Sequence, residues 1–518
     1  MDRQLSPGIA EMIIAIAEHA RAEGLDFFET IFEPVNAEEM SAIAAYGGFP
    51  QRYSHWQFGM EYERLRKQHG YGLGRIYEMV INTDPCLAYL ADNNEFVDQK
   101  TVIAHVYAHC DFFKNNMWFG KTNRNMMTAM ANSAARIRRH IDKVGAEAVE
   151  KFVDDCVAIQ DLIDPHSVFI EREPSKPGRP DDDEDPGCNR AVTRFDAKQY
   201  MNGWINPKRV AEREREEAKK KKQDKYSKDP SHPLRDVMLF LLNRAPLEDW
   251  QADILSIIRD EAYYYAPQGQ TKIMNEGWAV YWHSVIMANY VATDADIVDF
   301  CEHNAGVLAS GPGQFNPYKV GLQLFRDIED RWNRGAHGKA YEEAEGLHAK
   351  ERWGRNAETP RALGMNTAGR RKIFEVRQTH NDLMFIDEFL TPEFIDEHRL
   401  YQYRQDPETG ILAVVNRDPE AIKRQLMFHL ANHGLPYVYI TDANYGNRGE
   451  LCLGHRREFD ADLDAALARD TLKALRRIWG RPVNLFAIID GEPCRFSVDN
   501  DGEAKIEKAE LPEPAHSL

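Results

Sequence analysis

Apolar residues in the first 170 positions recur at the three- and four-residue spacing of amphipathic helices. The first such stripe comprises Ile9, Met12, Ile13 and Ile16. Ser6 and Pro7 precede it and form a typical helix start, and residues 36–39 show a capping-box pattern. Further helices are predicted near 98–118, 122–143, 145–162, 233–243, 247–266, from 271 onward, and at 294–308 and 316–334. The first 170 residues are therefore predicted to be helical.

The pattern changes near residue 371, where short apolar runs with turn residues between them predict strands. These runs lie at 411–415, 437–440, 485–489 and 495–498, with helices predicted at 418–434 and 460–479. The fold class predicted is a mainly α N-terminal core, residues 1–365, followed by a smaller α+β C-terminal domain, residues 371–505. Residues 506–518 are rich in Glu and Pro and are predicted to be a frayed tail.

Residues 171–231 interrupt the helical core with runs of a single charge sign. Residues 181–185 are five consecutive acidic residues. Glu and Arg alternate at 212–216, and residues 219–222 are four consecutive lysines. Such composition favours a solvated, partly disordered insertion with one surface helix. A mobile lid over a site is the alternative interpretation.

The net charge and the cysteines of the chain indicate which partners and which cysteine chemistry to expect. The formal net charge of −18 argues against nucleic acid or an anionic membrane as a general partner. Seven scattered cysteines without a CxxC pair favour reduced thiols over disulfides or a thiolate zinc site. We find neither a signal-peptide pattern nor an apolar run long enough to span a bilayer, so a cytoplasmic location is expected.

Two histidines four residues apart, His105 and His109, occupy one face of a predicted buried helix. Their Cβ atoms should lie about 5–6 Å apart, which lets two imidazoles converge on one cation. A pair of core histidines bonded to backbone carbonyls is the alternative. His429 and His433 form a second pair at the end of a helix, beside its apolar stripe, and are predicted to be structural.

Polar residues near the first pair are candidates for supporting roles. Asp111 could hold an imidazole N–H, and Asn115 or Asn116 could bind an oxyanion.

A metal centre needs a third protein ligand, and Glu276 is the predicted one. It lies in an apolar, Trp-rich helix, where an unpaired carboxylate would be costly. His283, seven residues later on the same face, is a candidate fourth ligand or catalytic oxyanion donor. Glu261 is the candidate general base, with Tyr265 one turn away. The alternative for Glu261 is a salt bridge to Arg259 or another cation.

Two motifs resemble the stage V sporulation protein R (SpoVR) family. They are Ala-His-Val-Tyr-Ala-His-Cys-Asp-Phe-Phe-Lys-Asn-Asn at 104–116 and Lys-Ile-Met-Asn-Glu-Gly-Trp-Ala at 272–279. Ala108 stands where glycine is common in the family, and Cys110 where a polar residue is usual. The resemblance implies a link to spore cortex formation or, in bacteria without spores, to stress physiology. It also implies partnership with a serine protein kinase and a von Willebrand-type protein.

The same motifs are more distantly similar to zincin-like helical zinc peptidases. In those enzymes a downstream glutamate is a metal ligand, which corresponds to Glu276. The peptidases keep a general-base glutamate directly after the first histidine, whereas this chain has Val106. The resemblance therefore implies a zinc site whose base, if it has one, comes from elsewhere in the chain.

Three hypotheses follow. The first is a zinc-dependent hydrolase of an amide bond, in a peptide or a cell-wall precursor, with manganese or iron as possible substitutes for zinc. In it, His105→Ala should abolish metal binding, whereas Glu261→Gln should keep the metal and remove activity. The second is a non-catalytic, metal-stabilised regulator that acts with the kinase through the C-terminal domain. The third is a polar core without any ion.

Overall fold

The computed structural model describes residues 5–71, 75–170, 230, 232–311, 313–338, 341, 367–405, 410, 412–458 and 462–512. Nearly all of the insertion predicted at 171–231 lies outside the described residues. Residue contacts divide the chain into two units. Unit 1 comprises Met1–Val153 and Asp260–Leu435, and unit 2 comprises Asp154–Arg259 and Pro436–Leu518. The boundary predicted near 371 falls inside unit 1.

Unit 1 is mainly helical, which confirms the predicted fold class for the N-terminal part. Its helices, some of which continue into unit 2, are α1 Pro7–Ala22, α2 Ala37–Ala45, α3 Trp56–Gly70, α4 Phe96–Asn115, α5 Met126–Val144, α6 Ala146–Val157, α8 Asp249–Gln270, α9 Lys272–Ile286, α10 Ile297–Leu308, α11 Pro317–Arg334, α12 Ala368–Thr379, α13 Asp382–Phe389, α14 Pro392–His398 and α15 Pro419–Leu430. The helix α7, Val237–Arg244, belongs to unit 2.

Helices α4 and α9 form the centre of the unit 1 core. Almost every side chain of both helices is buried, which is typical of a helix covered on all faces. Both histidines of the first pair and Glu276 lie on these two helices. Their positions are therefore fixed by packing on every side.

Two glycines let α9 and α11 cross at close range. A Cβ atom added to Gly277 would lie 2.4 Å from the carbonyl carbon of Gly321, and one added to Gly321 would lie 2.2 Å from the Ile273 oxygen. No side chain fits at either position without a shift of backbone. The crossing brings the first turn of α11 next to Glu276.

A three-stranded sheet corrects the prediction that the first 170 residues are entirely helical. Its strands are β1 Thr30–Val35, β2 Glu78–Ile81 and β3 Cys86–Ala91, in the order β1-β3-β2. β3 pairs in parallel with β1 and antiparallel with β2. The central strand is buried on both faces, so it lacks the polar and apolar alternation by which a half-exposed strand is recognised. A small hairpin, β4 Gln402–Gln405 with β5 Leu412–Asn416, also belongs to unit 1 and confirms the strand predicted at 411–415.

Unit 2 contains the larger sheet, which confirms the α+β character of the C-terminal part. Its strands are β6 Tyr437–Tyr445, β7 Glu450–Arg456, β8 Val483–Ile489, β9 Glu492–Val498 and β10 Ala504–Lys508, in the order β10-β9-β8-β7-β6. Helix α16, Ala465–Trp479, packs on β8 and β9. Three of these strands were predicted, whereas β7 and β10 were not. β10 pairs with β9, so residues 506–508 lie in an edge strand rather than in a frayed tail.

Within the described part of the chain, no helix is long and apolar enough to cross a lipid bilayer.

Candidate metal centre

Three potential ligand atoms converge between α4 and α9. The Nε2 atoms of His105 and His109 each lie 3.6 Å from Oε2 of Glu276. The three atoms all lie within 4.8 Å of one another, and the residues are only 6 to 7% exposed. Metal–ligand bonds of about 2.0–2.1 Å in a tetrahedral arrangement place neighbouring ligand atoms about 3.3 Å apart. The spacing in this chain is close to that geometry.

A hydrogen-bond chain orients the His105 ring. Nε2 of His283 donates to Oδ1 of Asn304 at 3.2 Å, so Nδ1 of His283 is left as an acceptor. That acceptor lies 3.0 Å from Nδ1 of His105, which must donate to it. The Nε2 lone pair of His105 is thereby directed toward Glu276. His283 itself is 2% exposed, and burial lowers its pKa well below the usual range, with His105 adding to the effect.

His109 is oriented in the same way by a different partner. Its Nδ1 lies 2.9 Å from Oδ1 of Asn275 and donates to it, which leaves Nε2 with a lone pair facing Glu276. Burial and the neighbouring His105 lower the pKa of His109 to about 4. The ring is therefore a neutral electron-pair donor at neutral pH, as a metal ligand must be.

The two oxygens of Glu276 have different partners. Oε1 accepts a hydrogen bond from Nζ of Lys272 at 2.6 Å, one helical turn away, while Oε2 faces the imidazoles. Burial opposes ionisation, but His105, His109 and Lys272 outweigh it and hold the pKa of Glu276 well below its usual range. The carboxylate therefore presents one charged oxygen to the histidines.

Two residues that sequence analysis missed complete the surroundings of these ligand atoms. Oε1 of Glu78, on β2, lies 3.8 Å from Nε2 of His105. Burial raises the pKa of Glu78; His105 acts in the opposite direction and Glu276 adds to the rise. The Tyr318 hydroxyl, on the first turn of α11, contacts Glu276, and burial together with Glu276 and Glu78 raises its pKa.

The comparisons with known proteins agree with the motifs that hold these residues. The profile of the family described as "SpoVR like protein" matches residues 4–435. The chain belongs to the SpoVR family. It is also similar to the uncharacterized protein YcgB of Escherichia coli (strain K12), with 27% identity over 502 residues, covering 90% of this chain and 89% of that protein. No solved structure matches significantly. The family match ends at Leu435, where unit 1 also ends.

His283 was predicted to be a fourth metal ligand or an oxyanion donor, but the contacts of its ring in this SpoVR-family chain are different. Both ring nitrogens of His283 are hydrogen-bonded, one to His105 and one to Asn304. His283 therefore fixes the orientation of the His105 ring through Nδ1, the nitrogen that points away from Glu276. It is neither placed as a fourth ligand nor as an oxyanion donor. Asn304 was not singled out, since nothing in the sequence near 304 indicates which ring it will meet.

Glu261 and Tyr265 lie in a second polar cluster. Oε2 of Glu261 accepts hydrogen bonds from Arg52 at 2.5 Å and from the Tyr53 hydroxyl at 3.3 Å. Burial raises the pKa of Glu261, and Arg52 opposes the rise. The Tyr265 hydroxyl donates to the Gly47 carbonyl at 3.1 Å. The salt bridge left open for Glu261 is therefore present, with Arg52 as its cation, and the general-base role has no support in these contacts.

Asp111 joins three helices instead of holding an imidazole. It accepts hydrogen bonds from the Trp278 indole at 2.8 Å, from Arg377 at 3.0 Å and from the Asp26 amide at 2.8 Å. Burial raises the pKa of Asp111 to about 6, and Arg377 opposes the rise. Its predicted contact with a histidine is wrong.

Asn115 and Asn116 form hydrogen bonds to backbone carbonyls at the C-terminal end of α4. Asn115 donates to the Asp26 carbonyl at 2.7 Å, and Asn116 donates to the carbonyls of Arg377 and His380 at 2.8 and 2.9 Å. Neither amide is left free to bind an oxyanion. The predicted oxyanion role has no support in these contacts.

Among the described residues, the triplet of His105, His109 and Glu276 is the single group of three or more His, Cys, Asp or Glu that meets metal-ligand spacing. The second histidine pair does not join such a group. His429 is exposed at the end of α15, and the His433 ring packs against Gly269.

Proposed function

We propose that this SpoVR-family chain is a metal-dependent hydrolase of an amide bond and that zinc is its preferred ion. His105, His109 and Glu276 are the proposed ligands. The convergence of their Nε2 and Oε2 atoms carries the proposal. In the tautomers assigned above, two Nε2 lone pairs and one carboxylate oxygen are directed at the same buried space, and a cation held there would offset the cost of burying the Glu276 charge.

The residue types match a known class of catalytic zinc site. Two imidazoles and one carboxylate leave a fourth position for water, unlike the closed four-ligand sites that only stabilise folds. An ion held there lowers the pKa of bound water toward about 7 and polarises a carbonyl group. Manganese or iron would suit the same ligands.

Glu78 replaces Glu261 as the proposed proton acceptor. It is a carboxylate beside the ligand cluster, with a raised pKa, and it comes from a different element than Val106, which occupies the usual base position. Such a group can take a proton from attacking water and return it to the leaving nitrogen. Tyr318 is the proposed hydrogen-bond donor to the developing oxyanion.

The proposed substrate is a peptide or a cell-wall precursor that carries an amide bond. This follows the distant similarity of the motifs at 104–116 and 272–279 to helical zinc peptidases. The physiological setting proposed from the family resemblance is sporulation and spore cortex formation or a stress response, in a cytoplasmic location.

The test begins with metal content. Protein purified without a histidine tag should contain about one zinc per chain, and His105→Ala and Glu276→Ala should lose it. His429→Ala changes the second histidine pair and should keep the metal. Full occupancy in His105→Ala would reject the ligand assignment.

Activity is tested on metal-loaded protein with peptides and cell-wall precursors, with products followed by mass spectrometry. Glu78→Gln should retain the metal and lose turnover by about 100-fold or more, as expected for a missing general base. Turnover at the wild-type rate in Glu78→Gln would exclude it as the proton acceptor.

The second candidate function is a metal-stabilised regulator that acts with a serine protein kinase and a von Willebrand-type partner. The fully buried Val106 beside the metal ligands favours it, because no base stands at the position used by the peptidases. A metal-loaded protein that turns over no amide substrate, yet recovers the kinase in pull-down, would support this candidate over hydrolysis.

A further inference from the structure

Unit 1 contains a second candidate binding site, in a cavity of about 870 Å³. The loop before α11 and the first two turns of α11 form one side of the cavity. Residues from α14, β4, β5 and α15 also line it. None of the proposed metal ligands lines it. The volume is within the range of small-molecule pockets, about 300–1,000 Å³.

The charge of the lining is opposite to the charge of the chain. Lys319, Arg399 and Arg404 border the cavity together with two histidines, and no Asp or Glu does so among the described residues. The whole chain has 83 acidic and 65 basic residues, so a lining with cations alone is unusual for it. A cavity lined by one sign of charge attracts a ligand of the opposite sign.

No ion pair with a described carboxylate neutralises these three cations. Within the part of the chain that the structure describes, Lys319, Arg399 and Arg404 make no ion pair, and the Lys319 ammonium donates only to the Ser310 hydroxyl at 3.3 Å. Their hydrogen-bonding capacity is therefore available to an anionic ligand.

Aromatic and amide side chains share the same cavity. Tyr401, Tyr403 and Phe315 line it, and Phe315 is 41% exposed. Gln314 and Gln323 add amide groups. Aromatic faces stack on planar heterocycles, and amides form paired hydrogen bonds with the edges of bases.

We propose that this cavity binds a nucleotide, with the phosphates on Lys319 and Arg399 and the base against Tyr403. Cations without an ion pair among the described residues, aromatic faces and amides in one cavity are the combination that such a ligand requires. This site is separate from the proposed metal centre and does not depend on its activity.

The experiment is calorimetric titration of the full chain with ATP at fixed salt, with adenosine and tripolyphosphate as partial ligands. ATP should bind more tightly than either. Lys319→Gln and Tyr403→Ala should each weaken ATP binding by about tenfold, the effect of one charge-assisted hydrogen bond or one stacked ring.

Two control variants show whether ATP binds in this cavity or at another place on the chain. Arg424→Gln removes an exposed cation on α15 that does not line the cavity, and it should leave ATP affinity unchanged. His105→Ala should also leave it unchanged, which distinguishes this site from the metal centre. Absence of binding at millimolar ATP, equal loss in Lys319→Gln and Arg424→Gln, or tripolyphosphate binding as tight as ATP would each overturn the proposal.

Discussion

Gly277 and Gly321 face each other at a crossing so close that neither can carry a side chain without moving the other helix. Gly277 directly follows Glu276, and Tyr318 lies one turn before Gly321. The same contact that packs α9 on α11 therefore sets the distance between the Glu276 carboxylate and the Tyr318 hydroxyl.

Gly277→Ala should destabilise the protein and weaken metal binding together. The new Cβ atom would lie 2.4 Å from the carbonyl carbon of Gly321, so the helices must separate. Overpacking of this kind costs about 1–3 kcal/mol. Urea unfolding and metal titration measure the two effects.

Gly306→Ala is the matched control, because Gly306 lies in α10 and a Cβ there meets nothing within 4 Å. Alanine in an open helical position should raise stability by about 0.5–1 kcal/mol. Equal effects of the two substitutions would show that the crossing is not tight.

His283→Phe should weaken metal affinity without removing a ligand. The substitution deletes the acceptor for Nδ1 of His105, so the His105 ring loses its fixed orientation. Loss of such an outer partner costs about 10- to 100-fold in metal affinity. Competition with a chromophoric chelator measures the change.

Asn304→Leu should produce a smaller loss in the same direction, because His283 then loses its own partner. The adjacent His303 pairs with Asp98 instead, so His303→Gln should leave metal affinity unchanged. An Asn304→Leu protein that binds metal like wild type would remove Asn304 from the chain of orienting contacts.

Glu261→Gln should reduce stability and leave metal content intact. It removes the countercharge of Arg52, whose side chain is 11% exposed. Breaking a buried ion pair on one side costs about 3–5 kcal/mol. Chemical unfolding and elemental analysis give the two readouts.

The double variant Arg52→Met with Glu261→Leu should recover much of that stability, because neither charge is then buried alone. Loss of metal in Glu261→Gln, with stability unchanged, would instead show that Glu261 acts at the metal centre.

Asp382 should make the folded state less stable as pH rises from about 4 to 7. It is 1% exposed and accepts hydrogen bonds from the amides of Ile273 and Met274 at 2.7 and 2.9 Å. Burial raises the pKa of Asp382 to about 7 despite these bonds. A raised folded pKa gives a contribution to stability that is complete below the unfolded pKa, about 3.9, and is lost as pH passes 7.

The comparison of wild type with Asp382→Asn isolates this term, since the amide does not titrate. The free-energy difference between them should shift in favour of Asp382→Asn on going from pH 5 to pH 7.5, at up to about 1.4 kcal/mol per pH unit. Asp464, an exposed N-cap whose pKa is lowered by the amides of Leu467 and Ala466, should show no change between pH 5 and pH 7.5 and the opposite sign only below the unfolded pKa of about 3.9. A pH-independent difference would show that Asp382 keeps an ordinary pKa.

Local spacing was sufficient to place the histidines and to propose Glu276. His105 and His109 lie four residues apart on one helix, so their common face follows from helical geometry alone. A carboxylate among tryptophans needs a partner wherever the helix packs, which selected Glu276. The Lys272 contact could have been predicted too, because residues four apart on a helix are neighbours.

Contacts between distant segments could not be predicted in the same way. Glu78 reaches the cluster because β2 pairs with β3, and Tyr318 reaches it through the glycine crossing. Neither contact has a local sequence pattern. The same limit explains why the salt-bridge partner of Glu261 was not predicted. That partner, Arg52, lies 209 residues away in the sequence.

The hydrogen bonds that fix the imidazoles of His105 and His109 have a consequence for binding of the proposed metal ion. Because His283 and Asn275 already hold both rings in the tautomer that leaves Nε2 unprotonated, binding of the proposed ion would cost little ordering entropy. The helices α4 and α9 of metal-loaded and metal-free protein should therefore superimpose.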